Sequence, residues 1–183
     1  MTILHLDSSI NGDNSASRAI SRSIVDRLRA GDAGAEVVTR DLVSKPLPHL
    51  TLDGFADSSV LDEFLAADTI VIGAPMYNFT LPTQLKAWLD RILIAGKTFR
   101  YTEHGPEGLA GGKRVIVALA RGGFYDQGSP ASALEHLESY LRGVFGFIGI
   151  EPEFVAADGL AIGPEQRQAS ISQALGQSVR LAA

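Results

Sequence analysis

Three short runs of almost uninterrupted apolar residues, ILHL from Ile3, TIVIGA from Thr69 and VIVALA from Val115, fix most of what this chain can become. A strand with one wet face alternates polar and apolar residues. A run that is apolar at nearly every position has both faces covered, as the central strands of a parallel sheet do. Between these runs lie longer stretches with helical spacing. Leu85, Trp88, Leu89 and Ile92 recur at i, i+3, i+4 and i+7, with Pro82 in the first turn, where its missing N–H costs little. The rhythm predicts βα units around a parallel sheet, with strands over 2–6, 36–40, 69–74, 114–120 and 153–157. Helices are expected over 17–29, over 58–67, around Leu85 to Ile92, and over 164–181. A further helix is expected to open at Ser132, whose SALE pattern reads as a capping box, and to continue through Leu137, Leu141, Val144 and Phe145. The stretch 44–57, with Pro46 and Pro48, is irregular, and the turn-rich stretch 99–112 suits a small hairpin or flap.

A chain of 183 residues with 45 % hydrophobic content can bury one core without staples, so a single domain over 1–183 is expected. It has no cysteine, which excludes disulfides, thiolate metal sites and cysteine nucleophiles and fits a reducing compartment. The net charge of -5, with no block of Lys or Arg, argues against a nucleic-acid partner. The opening MTILHLDSS has no basic flank, and no apolar run approaches a membrane span, so a cytoplasmic protein off the membrane is the expectation. His5, His49, His104 and His136 lack metal-ligand spacing, and no metal is expected.

In an open parallel sheet, ligands bind beyond the carboxyl ends of the strands, which directs attention to the loops after the first, third and fourth. The first, Asp7 to Arg18, is rich in hydroxyls and runs into a helix. Ser15, Ser17, the free amides of the helix start and Arg18 could hold a phosphate; equally, Asn14, Ser15 or Ser17 could simply cap the helix. Neither a G-x-G-x-x-G nor a G-x-x-x-x-G-K-[ST] pattern is present, so a monophosphate suits the loop better than a polyphosphate. The third loop holds Met76, Tyr77, Asn78 and Phe79, aromatic surface where a loop is usually polar. The fourth holds Ala120, Arg121, Gly122 and Gly123, where paired glycines would let backbone approach a ligand closely. A flat, phosphorylated, hydrogen-bonding cofactor answers all three, and FMN fits that description.

These residues carry a family resemblance. Ser9, the S-x-S of Ser15 to Ser17, APMYNF from Ala74, TFRYTEHGPEGL from Thr98, ARGG from Ala120 and GFIGI from Gly146 occur in order over most of the chain. Together they make it resemble the FMN-dependent NADH:quinone oxidoreductases known as azoreductases. The resemblance implies a flavodoxin-like three-layer α/β/α sandwich with a five-stranded parallel sheet, acting as a homodimer without nucleic acid or membrane. It implies that Ser9, Ser15, Ala16 and Ser17 hold the FMN phosphate and ribityl chain. Met76, Tyr77, Asn78 and Phe79 would lie along the ring edge, and Ala120, Arg121, Gly122 and Gly123 would complete the ring site.

The reaction so implied is ping-pong. NADH or NADPH gives hydride to flavin N5 and leaves, and a quinone or azo compound then takes two electrons, with the chemistry carried by the flavin. No catalytic side chain is required. Tyr101, His104 and Tyr125 are candidate substrate contacts. Three departures from the family pattern bear on substrate range: Ala120 replaces a common Ser or Thr, Tyr125 stands where some relatives have His, and the stretch between Leu50 and Thr69 is short. Trp88 is expected in the core or a dimer interface, and Phe145, Phe147 and Ile148 against either a partner subunit or their own helix neighbours. A flavodoxin-type electron carrier is the main rival. A response-regulator domain lacks its acidic cluster beside Asp7, and a serine hydrolase built on Ser15 lacks an Asp-x-x-His near the C-terminus.

Overall fold

The computed structural model describes residues 1–181. In chain order the elements are β1 (Thr2–Asp7), α1 (Ala16–Gly31), β2 (Glu36–Asp41), α2 (Ser59–Ala66), β3 (Thr69–Pro75) and α3 (Thr83–Ile92). They continue with β4 (Phe99–Thr102), β5 (Gly105–Gly108), β6 (Arg114–Ala120), α4 (Glu138–Phe147), β7 (Glu153–Ala157) and α5 (Pro164–Leu181). Five strands form one parallel sheet in the order β2-β1-β3-β6-β7. This order places a topological switch point between β1 and β3, where flavodoxin-like sheets open a ligand crevice.

The apolar runs supply both faces of this sheet because successive strand side chains point to opposite sides. Ile3, Val71, Ile116 and Val155 pack with Ile20, Ile24 and Leu28 of α1 and Ala174 of α5. Their neighbours Leu4, Leu6, Ile70, Ile72, Val115 and Val117 pack on the other face with Phe64 of α2, Trp88 of α3 and Phe145 of α4. Every residue of β3 is buried, which explains why its run shows no alternation. A fully buried Leu or Ile contributes about 1.5–3 kcal/mol, so these strands anchor the loops at their ends.

Trp88 lies in the core, fully buried and edge-on to Phe64 at 6.0 Å between ring centroids. Phe145 and Ile148 are likewise fully buried within the chain, so they are core residues and not partner-facing ones. Phe147 packs on Phe99, with ring centroids 4.7 Å apart, and so ties α4 to the antiparallel β4–β5 hairpin that the turn-rich stretch forms.

The fourth helix corrects the expected start. Ser132–Leu134 form an isolated 3-10 turn without a side-chain cap, and α4 begins only at Glu138. The cap comes from the other end of the SALE pattern, because the Glu135 carboxylate accepts the N–H groups of Leu137, Glu138 and Ser139 at 3.0, 2.7 and 3.0 Å. Three amides on one carboxylate outweigh a serine cap followed by a continuous helix. Burial pushes the Glu135 carboxyl up, but those backbone donors hold it below the usual carboxylate range. Among the described residues, no helix is long and apolar enough to cross a membrane.

Candidate functional site

The first loop is pinned before any ligand is considered. Arg18, in the first turns of α1, donates to both oxygens of Asp41 at 3.0 and 2.8 Å and twice to the Ser9 carbonyl, at 3.1 and 2.8 Å. The hydrogen bond from Arg18 is the main cause that holds the Asp41 carboxyl down at about 2. Arg18 also lies 3.6 Å from Asp7, whose carboxylate accepts the Ser21 hydroxyl at 2.9 Å. Asp7 fits at a strand end because its β3 neighbour is Gly73, where a Cβ would sit 2.5 Å from Asp7 Oδ1. The expectation that Arg18 waits for a phosphate therefore does not hold, since its fork is already taken by a carboxylate and a backbone carbonyl.

Ser15 is the N-cap of α1, accepting from the Arg18 N–H at 3.3 Å, and its hydroxyl also meets that of the fully buried Ser17 at 3.1 Å. The N–H groups of Ala16 and Ser17 open the helix and have no acceptor within it. Capping by Ser15 and a donor face of Ala16 and Ser17 thus coexist at one helix end.

The third loop is a two-residue reversal. Tyr77 and Thr80 exchange backbone hydrogen bonds at 2.9 and 3.2 Å across Asn78 and Phe79, whose φ angles are +47° and +73°. Two positive φ values at the centre of a tight turn are the type I′ geometry, which favours Asn and Gly and strains a Phe. The turn is held from outside: Phe79 O accepts from the His136 N–H at 3.0 Å, and the Thr80 hydroxyl donates to His136 O at 3.0 Å. The Tyr77 hydroxyl reaches the first loop, meeting Ser9 Oγ and accepting the Ile10 N–H, both at 3.1 Å. Phe79 and Tyr125 meet edge to face at 6.4 Å on the outer side. Because Ala at a left-handed position keeps the strain while Gly relieves it, Phe79→Gly should be about 1 kcal/mol more stable than Phe79→Ala in thermal melts. The opposite order, normal for exposed loop sites, would mean that the turn is not strained.

The fourth loop contributes backbone. Arg121 N donates to Ala157 O, while the carbonyls of Arg121, Gly122 and Gly123 accept from Leu160, Ala161 and Gly159. The loop after β7 is thereby laid against it. The Arg121 side chain is 6 % exposed and points into an acid cluster, donating to Asp158 at 2.6 and 2.9 Å and to Glu138 at 3.3 Å, with Glu135 at 3.7 Å. Its side chain braces the loop, and only its backbone lies with the glycines.

These loops enclose a cleft of about 210 Å³ lined by Ser9, Ser15, Ala16, Met76, Tyr77, Ala120 and Gly122 among the expected residues. That volume is below the 300–1,000 Å³ usual for enclosing a whole ligand, so a larger molecule must extend onto open surface. Phe79, Phe124 and Tyr125 offer such a surface, with Phe79 and Phe124 each nearly half exposed. Tyr101, 75 % exposed, and His104 sit on the β4–β5 hairpin and do not line this cleft. The lining also includes Asn11, Asn14 and Pro75 from the segments already singled out and, missed by motif reading, Leu160, Ala161 and Arg167. The last three follow β7, the one strand end whose loop has no compositional signal.

As a test of fit, the donors suit a flavin mononucleotide. Hydroxyls, two helix-start amides and an arginine gather at the α1 end of the cleft, the kind of donor set that a phosphate monoester requires. The N–H groups of Asn78, Phe79, Gly122 and Gly123 make no hydrogen bond among the described residues and can serve a ring's polar edge.

The comparisons agree with this geometry. The family model described as flavodoxin-like fold matches residues 1–181. The FMN-dependent NADH:quinone oxidoreductase 2 of Bradyrhizobium diazoefficiens is 54 % identical, with 100 % of both chains covered. The corresponding oxidoreductase of Rhizobium meliloti is 53 % identical over 95 % of this chain and 93 % of its own. A crystal structure of an azoreductase from Bacillus anthracis superposes with a TM-score of 0.90 at 28 % identity, covering 100 % of this chain and 99 % of that one. An FMN-dependent NADH-azoreductase from Bacillus anthracis in complex with FMN does so with a TM-score of 0.86 at 26 % identity, covering both in full. The chain belongs to the flavodoxin-like family of FMN-dependent NADH:quinone oxidoreductases.

Proposed function

We propose that this chain is an FMN-dependent NAD(P)H:quinone oxidoreductase with azoreductase activity, working as a cytoplasmic homodimer built from one domain per chain. The observation that carries the reading is the meeting, at the β1–β3 switch point, of a hydroxyl-rich helix start, a strained aromatic turn and a glycine loop around one cleft.

When bound, FMN supplies the two-electron chemistry, accepting hydride from NADH or NADPH and delivering it to a quinone or azo compound in ping-pong order. The protein's part is to hold and to shape. Ser9, Ser15, Ala16 and Ser17 are assigned to the phosphate and ribityl chain. Asn78, Phe79, Gly122 and Gly123 present amides held rigid by Thr80, His136 and the loop after β7, so donors are in place before charge develops. Phe79 and Tyr125 wall the acceptor side and limit water there. Tyr101 and His104 are assigned to acceptor contact across the dimer. Leu52, 89 % exposed, and Phe55, 54 % exposed, support a partner-facing surface.

The test is anaerobic. Protein reconstituted with FMN should lose its visible flavin absorbance on addition of NADH or NADPH and regain it with a quinone, and initial rates against both substrates should give parallel double-reciprocal lines. Converging lines would remove the ping-pong order. Failure to take up FMN would remove the whole reading.

A further inference from the structure

We infer that Arg167, near the start of α5, is the cation that neutralises the cofactor phosphate, an inference that rests on the FMN reading above. A phosphate monoester carries between one and two negative charges at neutral pH, and this acidic chain must balance them locally. The obvious candidate, Arg18, is closed off: its guanidinium is shared between both oxygens of Asp41 and the Ser9 carbonyl. Among the residues lining the cleft, Arg167 alone carries a charged side chain.

Its placement suits the role. One guanidinium nitrogen donates to Asn14 O at 2.7 Å, which sets the group beside the residue that precedes the Ser15 cap. An arginine has five N–H donors in a rigid fork, and a single carbonyl leaves most of them available. No ion pair of Arg167 forms among the described residues, whereas Arg18, Arg121 and Arg142 are each paired with carboxylates. The helix that carries it is fixed to the rest of the site, because the Ser170 hydroxyl donates to Asp158 O at 2.6 Å and Asp158 holds Arg121. The fork is therefore positioned across the mouth of the α1 helix start, where a bidentate arginine–phosphate pair would add to the helix-end amides.

The alternative is that Arg167 only braces the loop through Asn14. The two roles separate by comparing FMN with riboflavin, which has the same ring and ribityl chain but no phosphate. Flavin-free protein is titrated with each by fluorescence quenching, for the unaltered chain, Arg167→Lys and Arg167→Gln. A charge partner predicts that Arg167→Gln weakens FMN roughly tenfold or more while leaving riboflavin nearly unchanged, with Arg167→Lys between. The gap should also narrow as salt is raised. Equal weakening of both flavins, or no weakening of FMN, would overturn the inference while leaving the functional reading intact. Failure of the unaltered chain to bind FMN would overturn both.

Discussion

Replacing Arg121 by Met should lower the melting temperature by roughly 6–12 °C and weaken FMN binding. The guanidinium is buried and bonded to Asp158 and Glu138, with Glu135 close by. Burial, the largest single influence, disfavours its charge, but the Asp158 hydrogen bond and the charges of Asp158, Glu138 and Glu135 together outweigh it and favour the protonated form. Removing one partner of a buried ion cluster leaves the others uncompensated, at a cost of about 3–5 kcal/mol. Because Asp158 and Glu138 keep 22 % and 29 % side-chain exposure, the lower figure applies. About 3 kcal/mol in a domain of this size corresponds to the stated shift.

The sign of the pH dependence follows from the same cluster. In the variant, Asp158 and Glu135 lose their cation and Glu138 keeps only Arg142, so the folded state holds uncompensated negative charge that protonation relieves. The difference between variant and unaltered protein should therefore shrink as pH falls from about 7.5 to about 5. A melting difference that is absent, or that grows on acidification, would mean that Arg121 does not hold this loop through charge.

The core of the fold is legible from spacing alone, and the reason is visible in β3, where burial on both faces leaves no polar position to confuse the pattern. The same logic finds Trp88 and its helix neighbours. The start of α4 is not legible, because the SALE stretch satisfies the capping-box pattern read from Ser132, while its Glu135 in fact caps the amides two to four residues on and faces Arg121, which only the tertiary fold brings near. The site divides in the same way. Loops after β1, β3 and β6 announce themselves by hydroxyls, aromatics and glycines. The fate of Arg18 depends on Asp41, which is 23 residues away in the chain and adjacent only because β1 and β2 pair. Arg167 enters the cleft because α5 packs beside α1, a long-range fact with no local signature.

Gly108→Ala should destabilise the chain by about 2–3 kcal/mol and loosen the β4–β5 hairpin. A Cβ at this position would overlap the backbone of Ile148 and Gly149, with no flexible side chain able to yield. Gly149, at φ +89°, is shaped to receive that approach. Two motifs distant in sequence, the GPEGL of the hairpin and the GFIGI at the end of α4, thus each owe one glycine, Gly108 and Gly149, to a single backbone contact. Relief requires lifting the hairpin, which strains the bonds from Ala110 N to Ile148 O at 3.0 Å and from Leu109 N to Thr98 O at 2.8 Å. It also parts Phe99 from Phe147. Overpacking a close contact costs about 1–3 kcal/mol, and contact with backbone places this change at the upper end. Gly143→Ala is the matched control: it lies within α4 with open space around it, so it should raise stability by about 1 kcal/mol through helix propensity. Since the hairpin does not line the cleft, FMN affinity of Gly108→Ala should stay within about twofold, a few tenths of a kcal/mol. The quinone KM should rise, because Tyr101 and His104 are displaced. A large loss of FMN with an unchanged quinone KM would reassign the hairpin from acceptor contact to cofactor retention.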